Sequence, residues 1–502
     1  MQRNFCGKFW IKAAGDDPHR NDAKCNRYYL NVVQSSQSDE GRSTLGGSRF
    51  INSSLRPTRD VLIASAIAGC AIAIPALWLV LTGNNIGRAA ADSIMYHERV
   101  IRAMIFQFPE FDLRNPLTTT TPGYHIILAT VGRFLSDSGT ALRLTSVVIG
   151  TAFVCLVAGW SARRRGALDG VLLALPLACS LYVLGSTAWM LPDNLAWLLI
   201  AVVLMLCCQG EGGRRWLVLA SIALFALVFV RQIQIWVAAP IWVAAWFGAN
   251  HSARRVATAI LATLPAFALL GAFILLWHGL VPPRFQTYVS GINLATPAFI
   301  LLQYALMSVG FLPWLAPTIV RSWSMHRRTI LLAGIVGVLL AVVPATTTLQ
   351  EAGRFTGWWG PLGSVPSIAG HTNPIFLVLS PLGAALLTAS FLGLPARTRA
   401  IFSAATIAFI VASSATFFSW QRYHEPYVLL SLAMVSALQQ SSEDRSPKVG
   451  WKILCVGAIS VVLALITYRG LVGDAIDPNE LPAVEHRMPM EMFPANVNSP
   501  QT

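Results

Sequence analysis

Residues 91–124 read ADSIMYHERVIRAMIFQFPEFDLRNPLTTTTPGY. This is the longest stretch after the first hydrophobic run that is not plainly membrane-embedded. It carries four acids, Asp92, Glu98, Glu110 and Asp112, in a chain that has few. An apolar run at 61–83 precedes it and a short one at 124–136 follows. Whether that short run crosses a bilayer sets the sidedness of everything after it.

The membrane setting follows from composition. Hydrophobic residues make up 55% of the 502, charged residues 12%, and the mean hydropathy is +0.57; soluble domains carry about 25% charged residues. The formal charge of +14 sits in short clusters between apolar runs. That is the pattern of cytoplasmic loops obeying the positive-inside rule, and no nucleic-acid partner is expected. Cys70, Cys155, Cys179, Cys207, Cys208 and Cys455 lie in apolar runs, and Cys6 and Cys25 near the N-terminus. None has the spacing of metal ligands or of a disulfide framework.

Residues 1–60 are polar, mixed in charge and without an apolar signal core, and read as a flexible cytoplasmic tail. The first span, 61–83, contains Pro75, which a transmembrane helix tolerates with a kink. Arg56 and Arg59 before it place the N-terminus inside. Beyond 124–136 come apolar runs at 143–160, 170–188, 193–208, 216–230, 232–248, 256–278, 297–319, 329–349, 374–393, 399–419, 426–439 and 451–468. If 124–136 dips in or lies along the surface, Arg163–Arg165, Arg214–Arg215, Arg254–Arg255, Arg321 with Arg327–Arg328, Arg397 with Arg399, and Arg445 with Lys448 all fall inside. If it crosses, all of them flip outside. The charge rule therefore selects about thirteen spans, within a range of eleven to thirteen. The parity turns on Arg231, which interrupts 216–248.

The expected fold class is an all-α polytopic transmembrane helix bundle over 61–470, with 84–123 as an amphipathic helical first extracytoplasmic loop and 471–502 as a C-terminal tail. That topology puts the 91–124 stretch, Asp193, Arg231, the 279–296 and 350–373 loops and the Trp420–Glu425 segment on one outer face.

From Asp92 onward Ile94, Val100, Ile101, Met104 and Ile105 share one side of a helical wheel, with Glu98, Arg99 and Arg102 opposite. This suits a helix lying in the membrane interface. Asp92 then reads either as its N-cap or as a general base at the water–lipid boundary. Asp112 and Thr118–Pro122 look like a turn and helix entry, with Thr121 as the cap. Asp193 sits between two apolar runs, where a charge is costly unless used or solvated. Arg231 and Gln232 break one apolar stretch, and Arg422 stands in Ser419–Trp–Gln–Arg–Tyr–His–Glu–Pro426. The planar fork of Arg suits phosphate oxygens, so both are candidate clamps for a phosphate leaving group. The competing reading is an interfacial belt of Trp, Tyr and Arg. His278 and His371 punctuate outer loops as substrate-bonding or structural residues, and Glu351 with Arg354 reads as an exposed pair worth little. The chain has no Gly-rich phosphate loop, DxD-like sequence, His/Cys metal cluster or nucleophile elbow. A nucleotide-sugar enzyme on a Rossmann-type domain is therefore not expected.

Together these residues resemble the GT-C superfamily of integral-membrane glycosyltransferases, which use polyisoprenyl-phosphate sugars. The resemblance rests on Asp92 at the start of the first outer loop, Thr–Pro–Gly–Tyr124 closing it, and Ala141–Leu–Arg–Leu144 entering the next span. Within the superfamily the chain is similar to the dolichyl-phosphate-glucose α-1,2-glucosyltransferase family. This similarity is carried by Asp–Ser–Ile–Met–Tyr–His97, Leu117–Thr–Thr–Thr–Thr–Pro–Gly123, Asp193, Val230–Arg–Gln–Ile–Gln–Ile–Trp236, Trp277–His–Gly–Leu–Val281 and Gln421–Arg–Tyr–His424. That family carries an acidic pair at the loop start, where this chain has Ser93 second; no cofactor is assigned, and a divalent metal is left open.

The resemblance implies an inverting, single-displacement transfer, with Asp92 activating the acceptor hydroxyl, Asp193 assisting, and Arg231 and Arg422 holding the departing lipid phosphate. It puts Asp112, Tyr124, Gln232, His278, Tyr423 and His424 along the substrate path. The partners it implies are a polyisoprenyl-phosphate sugar, a glycan, lipid or protein acceptor, and membrane lipids. The expected location is a bacterial inner membrane or the endoplasmic reticulum, with the site extracytoplasmic. The alternative is a polytopic transporter or lipid-linked-glycan flippase, which inverted repeats with matching broken helices would mark.

Overall fold

The chain divides into two units, Met1–Leu55 and Arg56–Thr502. The computed structural model describes residues 58–83, 90, 92–209, 214–248, 251–286, 291–348, 353–354, 357–439 and 448–473, all of the second unit. Most of both tails, residues 84–89 and 91 of the first loop, Glu351 and Arg445 lie outside the described residues.

Among the described residues the regular structure is helical, apart from a single bridge between Ile368 and Thr372. The apolar runs become α1 Thr58–Thr82, α3 Gly123–Phe134, α4 Gly139–Arg165, α5 Ala167–Cys179, α6 Leu181–Ala188, α7 Asp193–Gln209, α8 Arg214–Val230, α9 Ala238–Trp246, α10 Ala253–Trp277, α11 Thr296–Val342, α13 Pro374–Leu392, α14 Ala396–Ser414, α15 Gln421–Leu438 and α16 Val449–Tyr468. Two helices come from loops, α2 Glu98–Gln107 and α12 Trp359–Gly363. Among the described residues seven helices are long and apolar enough to cross a membrane, or eight when α5 and α6, bent by 73°, count as one span.

One of the seven is not a single crossing. At ~1.5 Å per residue α11 would be about 70 Å long, more than twice a hydrocarbon core of about 30 Å. Its helical geometry breaks at His326. Ala298, on the near arm, gives its carbonyl to Ser380, while Gly337, on the far arm, lies against the Ser380 carbonyl and Pro381. Both arms therefore flank α13, and the chain reverses beside Arg327 and Arg328.

The helices leave two chemically distinct ends. At one, Arg165 donates to the Ser436 and Ala437 carbonyls at 3.1 and 3.2 Å, Arg397 donates to Cys207 O at 2.8 Å, and Lys452 pairs with Asp169 at 2.8 Å. Arg165 and Arg397 belong to the basic clusters between the apolar runs, and Lys452 lies in the first turn of α16. At the other end Trp277 Nε1 donates to Leu113 O at 2.8 Å, Ser93 Oγ accepts Met190 N–H at 3.1 Å, and Asn293 Nδ2 donates to Phe417 O at 2.8 Å. The first loop, the α6–α7 link and the loops after α10 and α14 meet there.

The first-loop helix is amphipathic as its periodicity predicts: Val100, Ile101 and Met104 are buried, and Arg102 pairs with Glu98 at 2.7 Å on the open side. Its apolar face is not given to lipid, however. Val100 and Met104 pack with Ala129 of α3, so the short 124–136 run serves as the platform beneath the loop.

Candidate active site

Asp92 opens a π-helical turn, Ser93–His97, ahead of α2. It occupies the cap position but makes no capping hydrogen bond, which removes the capping role. Its carboxylate instead forms an ion pair with Arg422. Arg422 lies in the first turn of α15, where the helix dipole disfavours a cation, and the Asp92 carboxylate offsets that cost.

The second pair is built alike. Asp193 is the first residue of α7 and sits favourably at its positive end. Arg231 has extended backbone between α8 and the 3₁₀ turn Gln232–Val237, and this break lets its guanidinium reach Asp193 in an ion pair.

Tyr423 joins the pairs. The Arg231 and Arg422 guanidiniums lie 4.8 and 4.9 Å from its ring centroid, and Arg422 Nη2 donates to its hydroxyl at 3.0 Å. Trp420 stacks on the same ring at 5.5 Å and itself carries Arg422 at 4.7 Å. Such contacts hold guanidiniums flat and oriented. The buried Nε of Arg422 has no hydrogen-bond partner.

Gln232 has its amide spent on backbone. Its Nε2 donates to Thr119 O at 2.7 Å and Leu280 O at 2.9 Å, and its Oε1 accepts Thr121 N–H at 3.0 Å. It staples the Thr-rich turn to the loop after α10. Thr121 is not a helix cap: Pro122 occupies the cap position of α3, and the Thr121 hydroxyl donates to Val228 O at 2.7 Å.

Beside Arg231 and Tyr423 opens a cleft with roughly 740 Å³ of non-protein space, its mouth included. Gln232, His424, Trp197, Trp236 and Phe409 are in its lining. Of the residues singled out from sequence, Arg231, Gln232, Tyr423 and His424 thus meet at the cleft, with Asp193 and Asp92 attached through the arginines.

Others lie elsewhere. Asp112 is exposed, and its Oδ1 accepts Arg114 N–H at 2.9 Å in a local turn. Tyr124 is buried with its hydroxyl 2.7 Å from Ser146 Oγ, tying α3 to α4. His278 is exposed and left-handed at φ 54°, ending α10. His371 bonds Val342 O at 3.0 Å. Arg354 is buried and donates to Ala345 O, so it is not the exposed residue its loop position suggested.

Several residues of this region escape sequence reasoning. His97 Nδ1 is 2.8 Å from His125 Nε2, and the rings stack at 5.1 Å. Burial, with the Arg422 and Arg231 charges adding to it, pushes His97 down to about 3. Ser93, in the position where the resembled family has its second acid, is buried and anchors the turn to Met190. Glu425 is buried, accepting from Ser180 Oγ at 2.5 Å and from Gln421 Nε2. Its one sequence signal is a carboxylate just before Pro426 at the start of an apolar run. Among the described residues no group of three or more His, Cys, Asp or Glu side chains gathers to hold a metal.

No protein-family model and no curated protein matches the chain. Among solved structures it is similar to ArnT from Cupriavidus metallidurans bound to undecaprenyl phosphate, with 14% identity, a TM-score of 0.45, and coverage of 84% of this chain and 68% of that one. It is also similar to the same enzyme in the apo state, with 14% identity, a TM-score of 0.34, and coverage of 79% and 77%. Both scores lie below the level at which likeness alone assigns a fold or an activity.

Proposed function

We propose that this chain is an integral-membrane glycosyltransferase. It takes a sugar from a polyisoprenyl-phosphate carrier and transfers it to a hydroxyl of a lipid-linked glycan, glycolipid or protein on the extracytoplasmic face. The observation that carries the reading is the Asp92–Arg422 pair: a carboxylate bound to a guanidinium whose buried Nε is still unspent, beside an open cleft. The end of the bundle opposite the arginine clusters is the outer one by the positive-inside rule, and a lipid-borne phosphate sugar presents its headgroup at that depth.

The chemistry is a single displacement. The acceptor oxygen attacks the anomeric carbon while the bond from that carbon to the phosphate oxygen breaks, and Asp92 takes the acceptor proton. The electron pair leaves on the lipid phosphate, which the free donors of Arg422 and the guanidinium of Arg231 stabilise. Phosphate is a good leaving group, so orientation supplies much of the remaining barrier reduction. Trp420 and Tyr423 fix the two guanidiniums, and the Gln232 staple fixes the rim of the cleft. Asp193 keeps Arg231 in place and shares the charge.

The test is transfer by the purified protein from a panel of polyisoprenyl-phosphate sugars, wild type against Asp92→Asn. Loss of the base lowers the rate by ~10²–10⁴-fold. An unchanged rate removes Asp92 from the reaction.

A further inference from the structure

The cleft beside Tyr423 has a feature that neither ion pair uses. His424 is fully buried, lines the cleft, and has both ring nitrogens without a hydrogen-bond partner. Phe299 and Phe409 meet its ring nearly edge to face, at 5.9 Å and 78° and at 6.2 Å and 80°, so the imidazole is held in one orientation. Trp197 lines the same cleft, is buried, and has an unpartnered Nε1. Buried polar atoms in folded proteins almost always have a partner, and exceptions gathered on one concavity mark a place where a ligand supplies it.

The rest of the lining says what kind of ligand. Trp236, Phe409 and Phe418 give flat apolar surface, while Thr119, Gln234 and Ser413 add neutral polar groups. Among the described residues that line the cleft, Arg231 is the one charge, and it is engaged by Asp193 and, in the proposed reaction, by the donor phosphate, which leaves none for the sugar. An ammonium or carboxylate on the ligand would enter with no counter-charge, which is costly in a largely apolar site. An uncharged ring with hydroxyls at its edge and C–H groups on its faces fits both the aromatic walls and the orphaned donors.

We infer that this cleft seats an uncharged sugar ring, and that His424 is the residue that reads one of its hydroxyls. The inference rests on the glycosyltransferase reading and deepens it: Arg231 and Arg422 take the phosphate, and the sugar extends from them over Tyr423 into the cleft.

The experiment measures kcat/KM in the full-length protein for polyisoprenyl phosphates carrying neutral hexoses, their mono-deoxy analogues, an amino sugar and a uronic acid. Wild type, His424→Phe and His424→Gln are compared. Neutral donors are expected to exceed the two charged ones by at least ~10²-fold. His424→Phe is expected to lose about 10-fold or more on the intact sugar, yet less than ~3-fold on the one deoxy analogue that lacks the hydroxyl read by His424. His424→Gln keeps a hydrogen-bonding group and is expected to lose less; it carries the same comparison if the Phe variant does not fold. Equal use of charged and neutral donors, or the same loss on every deoxy analogue, overturns the inference while leaving the glycosyltransferase reading standing. No transfer from any donor by wild type overturns that reading, and this inference with it.

Discussion

Asp92 and Arg422 stand 330 residues apart in the chain and form an ion pair where the first loop meets the start of α15. The pair ties the proposed base to the proposed phosphate clamp, so each residue has a structural duty beside its chemical one. The two duties separate by charge exchange. Asp92→Asn is expected to lower transfer by ~10²–10⁴-fold, while stability falls by about 1 kcal/mol, because the pair is a quarter exposed and screened. The double variant Asp92→Arg with Arg422→Asp restores the pair and the melting temperature but not transfer. Recovery of transfer in the swap would show that the pair serves architecture alone.

Gln232 replaces three backbone partners with one side chain, bridging Thr119, Thr121 and Leu280. Gln232→Ala strands buried donors and acceptors and should cost about 1–3 kcal/mol, read as thermal unfolding in detergent. The loosened rim should also raise KM more than it lowers kcat. A variant as stable as wild type would mean that the bridge is redundant.

His97 makes the fold sensitive to acid. Its folded value, pushed down to about 3 by burial and by the two nearby arginines, lies below the ordinary unfolded value near 6.5. Between those limits the unfolded chain takes up a proton that the folded one refuses. Stability from this group is therefore complete above about pH 6.5 and is lost as pH falls toward 3, by up to ~1.4 kcal/mol per unit. His97→Gln should flatten the melting temperature between about pH 4 and 6.5. An unaltered profile would assign the acid sensitivity to other groups.

Gly123 begins α3 against the backbone of α8. A Cβ there would lie 2.6 Å from Phe229 O, two residues before Arg231. Gly123→Ala forces α3 and α8 apart, which costs about 1–3 kcal/mol, and shifts Arg231 away from Tyr423. Transfer should fall with stability, whereas Gly360, with open space around it, should accept Ala without either effect. Equal tolerance at both positions would contradict the close packing.

Much of the fold was legible, because helices in lipid need long apolar runs and the runs are helical, although 297–319 and 329–349 join in α11 and 170–188 divides into α5 and α6. The amphipathic spacing of Ile94 to Ile105 located α2, and Arg165 and Arg397, from two of the arginine clusters, bond backbone carbonyls at one end. What covers the apolar face of α2 was not legible, since periodicity shows that a face is apolar but not whether lipid or Ala129 meets it. At the site, Asp92, Asp193, Arg231 and Arg422 stood out individually as costly charges near apolar runs. Their pairing did not, because it depends on where α7, α8 and α15 end relative to one another. Asp112 and His278 show the limit of that signal: a polar residue at the edge of an apolar run looks the same in sequence whether it faces a cleft or a turn. His97 and His125 are 28 residues apart on separate helices, and nothing local announces the contact.

The most direct measurement is made on the protein in liposomes, given a polyisoprenyl-phosphate sugar labelled in both sugar and phosphate, with a lipid and glycan extract of its source membrane as acceptor. The account predicts that each sugar label passing to an acceptor leaves one lipid phosphate without its sugar, and that Asp92→Asn stops both. Lipid-linked sugar that crosses the bilayer intact, with no phosphate freed, would contradict it.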